Sequence, residues 1–256
     1  MSFNVAADAY DAFMGRYSKL LVGQMADLAR LRAGDRAIDV GSGPGALTTE
    51  LVRRLGADHV TAVDPSEPFV TAARERHPGV EVQVAGAEAL PFPDATFDAA
   101  LAQLVVHFMI DPVAGIREMA RVTRPGGTVV ACVWDFAGGR SPLSPFWDAV
   151  AAQEPGNAGE SRYAGARQGH LVEIFRAAGL ADVEEHVLEA DNTHATFEDW
   201  WVPFAGGVGP AGAHAKALAP EARLALAESI RATLPPAPFT IRARAWAATG
   251  RVGSIP

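Results

Sequence analysis

Two acids, Asp39 and Asp64, close two short apolar runs, and the residues around the first make distinct chemical demands. In Ala37-Ile38-Asp39-Val40-Gly41-Ser42-Gly43-Pro44-Gly45, β-formers carry one acid and glycine then recurs at every second position. Ile38 and Val40 suit a strand buried on both faces. The glycines let the chain turn and let a ligand approach bare backbone. Ala46 to Leu55 reads as a helix, so its first free N–H groups point back at the turn. Strand, Gly-rich turn and helix N-terminus together make a nucleotide-type site.

Which nucleotide it takes is a question of charge. Gly41-x-Gly43-x-x-Ala46 satisfies the dinucleotide pattern, and Asp64 follows at a distance suited to holding a ribose. A pyrophosphate at this turn would sit close to Asp39, which like-charge repulsion disfavours. S-adenosylmethionine has no phosphate and carries an ammonium and a sulfonium. Asp39 would draw its ammonium, directly or through water, and Gly45 would leave room for its backbone.

Four segments in order resemble the class I S-adenosylmethionine-dependent methyltransferases, in the branch of ubiquinone/menaquinone-biosynthesis type and small-molecule enzymes. Asp39 to Gly45 is similar to D-x-G-x-G-x-G, and Val60-Thr61-Ala62-Val63-Asp64-Pro65-Ser66 to the strand ending in a ribose-holding acid. Ala89-Leu90-Pro91-Phe92-Pro93-Asp94-Ala95-Thr96-Phe97-Asp98 resembles the L-P-F-x-D-x-x-F-D stretch, and Arg121 to Gly127 the R-V-L-[KR]-P-G-G turn. The likeness covers residues 36–134. It implies cofactor contacts from Asp39, Gly41, Ser42, Gly43, Gly45, Asp64, Pro65, Ala87, Glu88, Gln103 and Leu104, the last two mainly through main chain. It also implies S-adenosyl-L-homocysteine as product. One departure is Gly86, where the family commonly has an Asp that accepts from the adenine amino group. The Ala87 N–H remains to donate to the adenine ring, with Glu88 or a water in place of the missing acceptor.

Composition narrows the partners. The 256 residues carry a net charge of −8, which argues against nucleic acid, whose partners need a basic face. No apolar run approaches a membrane span and no signal-peptide pattern opens the chain, so a cytoplasmic enzyme is expected. The single cysteine, Cys132, lies in an apolar run and reads as a buried strand residue. The histidines His170, His194 and His214 lack partners at ligand spacing, so no metal is expected.

The elements that must position these residues alternate from residue 36 to 189. Strands are predicted at Arg36–Val40, His59–Asp64, Val80–Val84, Phe97–Gln103, Thr128–Trp134 and Asp182–Glu189, with a last β-like run at Phe239–Ala248. This is an α/β fold with a doubly wound, mostly parallel, Rossmann-like seven-stranded sheet. Residues 1–35 are expected to form a helical cap, 36–189 the core, 190–237 a helical lid, and 238–256 the last strand and tail. A second insert, 135–166, follows the fifth strand and holds a short helix at Pro145–Ala152. Within 190–237, Thr196-x-x-Asp199 caps a helix, Gly206–Gly212 bends, and a helix runs near Pro220–Leu234. Inserts after strands five and six start at the carboxyl edge of the sheet, where ligands bind in open α/β folds.

His107 lies four residues beyond Gln103 and is the candidate general base, set against a packed histidine in an apolar stretch. Tyr10, Tyr17, Trp134, Trp200, Trp201 and Phe204 are candidates for a flat apolar substrate's pocket, with local core packing the competing use. The expected chemistry is in-line methyl transfer to an O or C atom of a small organic acceptor. A non-catalytic cofactor-binding regulator and a dinucleotide oxidoreductase are the alternatives.

Overall fold

The computed structural model describes residues 7–253; residues 1–6 of the expected cap and 254–256 of the tail lie outside the described residues. Seven strands form one sheet in the order β3-β2-β1-β4-β5-β7-β6. They are β1 (Ala37–Val40), β2 (Val60–Asp64), β3 (Glu81–Val84), β4 (Phe97–Gln103), β5 (Thr123–Trp134), β6 (Ala181–His194) and β7 (Phe239–Arg251). Only β7 runs against its neighbours, pairing antiparallel with β5 and β6. The strand order reverses between β1 and β4, which pair in parallel through Ile38 and Ala100, and this switch point opens the crevice for a ligand.

The helices follow from local signals. α1 (Ala7–Tyr10) passes through a π-turn, Asp11–Gly15, into α2 (Arg16–Ala29), which covers the sheet. α3 (Ala46–Leu55) stops at Gly56, whose φ of 88° a side chain would resist. α4 (Glu67–Arg76) and α5 (Pro112–Val122) carry a proline in their first turn, and the Asp111 side chain caps α5 by accepting from the Ala114 N–H at 3.0 Å. α6 (Ser144–Gln153) and α7 (His170–Ala177) follow β5. The Thr196 hydroxyl caps α8 (Phe197–Trp201) by accepting from the Asp199 N–H at 3.0 Å. α9 (Gly209–Ala217) and α10 (Pro220–Thr233) complete the insert, and α10 packs on α6. Ile38, Leu101, Val130, Ile116 and Phe175 lie in one continuous core. Cys132 is fully buried in β5, and burial pushes its thiol up to about 12.

Three boundaries differ from the sequence expectation. β6 continues to His194 because β7 pairs with it throughout, Asp191 opposite Arg242 and His194 opposite Phe239. The helical part of the second insert therefore begins at Phe197 rather than 190. β5 starts at Thr123, which pairs with Phe97, so the Pro125-Gly126-Gly127 segment lies within the strand. Part of the expected bend at Gly206–Gly212 is helical, because Pro210 fits the first turn of α9.

His194 is not the isolated histidine that its sequence spacing suggests. It is fully buried, with Nδ1 3.0 Å from Asp199 Oδ2 and Nε2 2.6 Å from the Tyr17 hydroxyl. With Nδ1–H donating to the carboxylate, Nε2 is left to accept from Tyr17. Arg16 joins the cluster through a 3.2 Å ion pair to Asp199. Burial holds the imidazole below its usual range, so it stays neutral near pH 7. The cluster fastens α2 to β6 and α8. Tyr17→Phe removes one buried donor, and should cost about 1–3 kcal/mol in urea unfolding. An unchanged midpoint would refute the contribution.

Candidate functional site

β1 ends where its chain crosses over β2: the Gly41 and Ser42 N–H groups both donate to the Val63 carbonyl, at 2.8 and 2.9 Å. Gly41 has φ 73°, and a Cβ there would lie 2.4 Å from Val105 Cγ2, so glycine alone fits the close approach of the loop after β4. Gly45 has φ 95°, and a Cβ would lie 2.6 Å from His77 Nε2. Its small size leaves room for the His77 ring, a neighbour that the sequence expectation did not include.

The two acids stand behind and beside this turn. Asp64 Oδ2 accepts from the Gly43 N–H and Oδ1 from the Ser66 N–H, both at 2.8 Å. Burial nevertheless pushes the Asp64 carboxyl above its usual range, against the pull of these two bonds. Asp39 is 1% exposed and accepts from the Thr48 hydroxyl at 2.7 Å. Burial pushes Asp39 up to about 7 despite that bond, and the Asp64 charge adds to the rise.

A cavity of about 350 Å³ opens at this carboxyl edge. Of the residues expected to hold a cofactor, Gly41, Gly43, Asp64, Pro65, Ala87, Glu88, Gln103 and Leu104 line it together. Asp39, Ser42 and Gly45 are not in its wall; Asp39 points into the protein toward Thr48, and Ser42 is buried with its hydroxyl on the Gly43 carbonyl. Tyr10 and Phe69 close one side, their rings edge to face at 5.4 Å. Glu88 Oε1 accepts from the Ile110 N–H at 2.7 Å and so anchors the loop after β4. Gln103 donates to the Ser18 carbonyl of α2 at 3.1 Å, while its buried Oε1 has no partner among the described residues.

A second, smaller chamber of about 40 Å³ shares Tyr10, Leu104 and Phe108 as walls with the first. Leu104, at φ 62°, stands between them. His107 and Trp134 line this chamber, as do residues of both inserts, among them Phe136, Leu143, Glu160 and Ala211. His107 lies 3.9 Å from the Phe108 ring centre, and burial pushes its imidazole down to about 3. A base that weak is poorly matched to proton abstraction near pH 7. The other aromatic candidates lie elsewhere. Trp200 and Phe204, with Phe146 and Trp201, fill the core of the inserts, Phe146 stacking on Phe204 at 4.9 Å. Tyr17 is committed to His194. Glu160 is the residue that sequence reasoning missed: it is 2% exposed, and no local pattern marks a glutamate in a Gly-rich segment for burial. Among the described residues no group of three metal-ligating side chains assembles.

The burial of Asp39 has a consequence for stability. A folded value of about 7, against 3.8 ordinarily, means the folded state retains a proton that the unfolded chain gives up. Stability is therefore lost as pH rises from about 4 to about 7. Asp39→Asn carries no such charge, and should exceed the parent by roughly 2–4 kcal/mol in urea unfolding at pH 8 while matching it at pH 4. Equal differences at both pH values would contradict this.

Residues 38–131 match a family model described as a methyltransferase domain. A demethylmenaquinone methyltransferase of Clavibacter sepedonicus is 34% identical over 201 residues, covering 72% of this chain and 77% of that protein. A malonyl-acyl-carrier-protein O-methyltransferase of Erwinia billingiae is 33% identical over 156 residues, 61% of each chain. The chain spans between 40% and 58% of the length of several further curated relatives it matches. In three dimensions it is similar to a methyltransferase structure from an antibiotic biosynthesis pathway of Anabaena variabilis, with TM-score 0.63, 18% identity and coverage of 90% of this chain and 98% of that one. The glycine turn, the acid closing β2 and the ordered motifs thus sit within an inherited frame, and the chain belongs to the class I methyltransferase family.

Proposed function

We propose that the chain is an S-adenosylmethionine-dependent methyltransferase acting on an O or C atom of a small organic acceptor. The observation that carries this reading is the cavity of about 350 Å³ at the strand-order switch, with Asp64 in its wall and Asp39 buried behind its glycine turn. The residues present suit that cofactor. Each Asp64 oxygen accepts one backbone N–H and keeps a lone pair for a ribose hydroxyl. Ala87 lines the wall, where its N–H would donate to the adenine ring, and Gly41 and Gly43 would offer backbone to the methionine end. Two desolvated acids favour a cationic ligand and disfavour a pyrophosphate.

When bound, that cofactor supplies an electrophilic methyl group on its sulfonium. The chain's own contribution is to hold the acceptor in line across Leu104 and to keep water out with the walls of the smaller chamber. Relatives named as quinone-biosynthesis and acyl-carrier-protein methyltransferases support a small-molecule acceptor. A net charge of −8 supports no nucleic-acid partner, and no described helix is long and apolar enough to cross a membrane.

Calorimetry with S-adenosylhomocysteine and NADH separates the rival cofactors. The former is expected to bind and the latter not, with Asp39→Ala weakening S-adenosylhomocysteine by about tenfold or more. Radiolabelled S-adenosylmethionine with a panel of small metabolites then tests transfer. Failure to bind S-adenosylhomocysteine at high protein concentration would sink the reading, and binding without turnover of any acceptor would favour a regulator.

A further inference from the structure

Glu160 is a carboxylate buried where nothing in the fold requires one. It sits in the insert after β5, is 2% exposed and lines the chamber of about 40 Å³ beside His107 and Trp134. Its Oε2 accepts from the Trp147 indole N–H at 2.8 Å, which is the side-chain hydrogen bond found for it among the described residues. Burying a carboxylate with one hydrogen bond is costly. Structural groups of this kind are normally satisfied, and those left unsatisfied concentrate where a ligand completes them. Two buried atoms around the same chamber lack partners, Trp134 Nε1 and His107 Nδ1. Apart from Tyr10, the remaining walls are apolar, among them Phe13, Met14, Phe136, Leu143 and Val208.

We propose that Glu160 is the residue that receives the acceptor's proton, and that the acceptor presents a weakly acidic phenolic or enolic O–H to it inside this chamber. This rests on the reading of the larger cavity as the methyl-donor site. Glu160 Oε1, the oxygen not bonded to Trp147, accepts the O–H, and the Trp134 indole N–H is available to donate to the same acceptor oxygen. In transfer, the O–H proton passes to Glu160, the oxygen's electron pair forms the O–CH₃ bond, and the S–CH₃ bond breaks with its pair left on sulfur. Glu160 later releases the proton to solvent. Burial pushes Glu160 up to about 7, the range that suits a proton acceptor near neutrality, whereas His107 has been pushed out of it. The small chamber admits the reacting end of an acceptor and leaves any larger body to the mouth between the inserts.

Glu160→Gln tests this, because the amide keeps an oxygen for Trp147 and loses only the proton acceptor. The probes are phenol, catechol and 1,3-cyclohexanedione, with anisole as the analogue lacking the proton. Calorimetry is done on the S-adenosylhomocysteine complex, and methyl transfer is followed from radiolabelled S-adenosylmethionine. In the parent protein at least one O–H probe should bind about tenfold or more tightly than anisole, and the variant should lose that preference. For a probe that is turned over, kcat should fall about 10²-fold or more with the KM for S-adenosylmethionine unchanged. An unchanged S-adenosylhomocysteine affinity and thermal midpoint in Glu160→Gln would show that the fold and the larger cavity are intact. A variant that discriminates and turns over like the parent overturns the assignment. So does a parent that binds S-adenosylhomocysteine but prefers no O–H probe. Loss of S-adenosylhomocysteine binding in the parent overturns the methyltransferase reading instead.

Discussion

Two desolvated carboxylates at the carboxyl edge of a parallel sheet set the terms for this protein. Asp64 is oriented by two backbone N–H groups, and Asp39 by the hydroxyl and backbone N–H of one residue, Thr48. Neither has a cation beside it among the described residues, so both are held above the usual carboxylate range. Buried acids without counter-charge are destabilising. The glycine turn, the helix N-terminus and the flanking loops can be understood as the framework that tolerates that cost and leaves one open direction, the cavity.

That framework was legible because its constraints are local. An acid followed by alternating glycines and a strand ending in Asp64 each state a requirement within a few residues. The strand order and the placement of eight expected residues in one wall follow from them. Even so, local reading left out the His77 ring beside Gly45, since nothing near it in sequence announces a neighbour 32 residues away.

What was not legible depends on long-range pairing. His194 looked solitary because its hydroxyl partner, Tyr17, is 177 residues distant. The aromatic residues of the second insert could serve a substrate or their own small core, and composition cannot distinguish the two. In the structure Phe204 meets Phe146 of the other insert and Trp200 packs on Phe204, and both leave little surface free. Glu160 lay deeper still, because its burial is created by two inserts closing over a residue whose own segment is Gly-rich and polar.

The cluster of Arg16, Tyr17, His194 and Asp199 gives the molecule a property that neither cavity shows alone. It joins the N-terminal helix to the end of β6 and the start of the second insert. The same N-terminal segment supplies Tyr10 to the walls of both chambers. Movement of that segment away from the sheet is therefore tied to movement of the insert, through a neutral imidazole and a partly shielded ion pair. The N-terminal helix and the start of the second insert thus behave as one latch over the two chambers, with His194 as its pin.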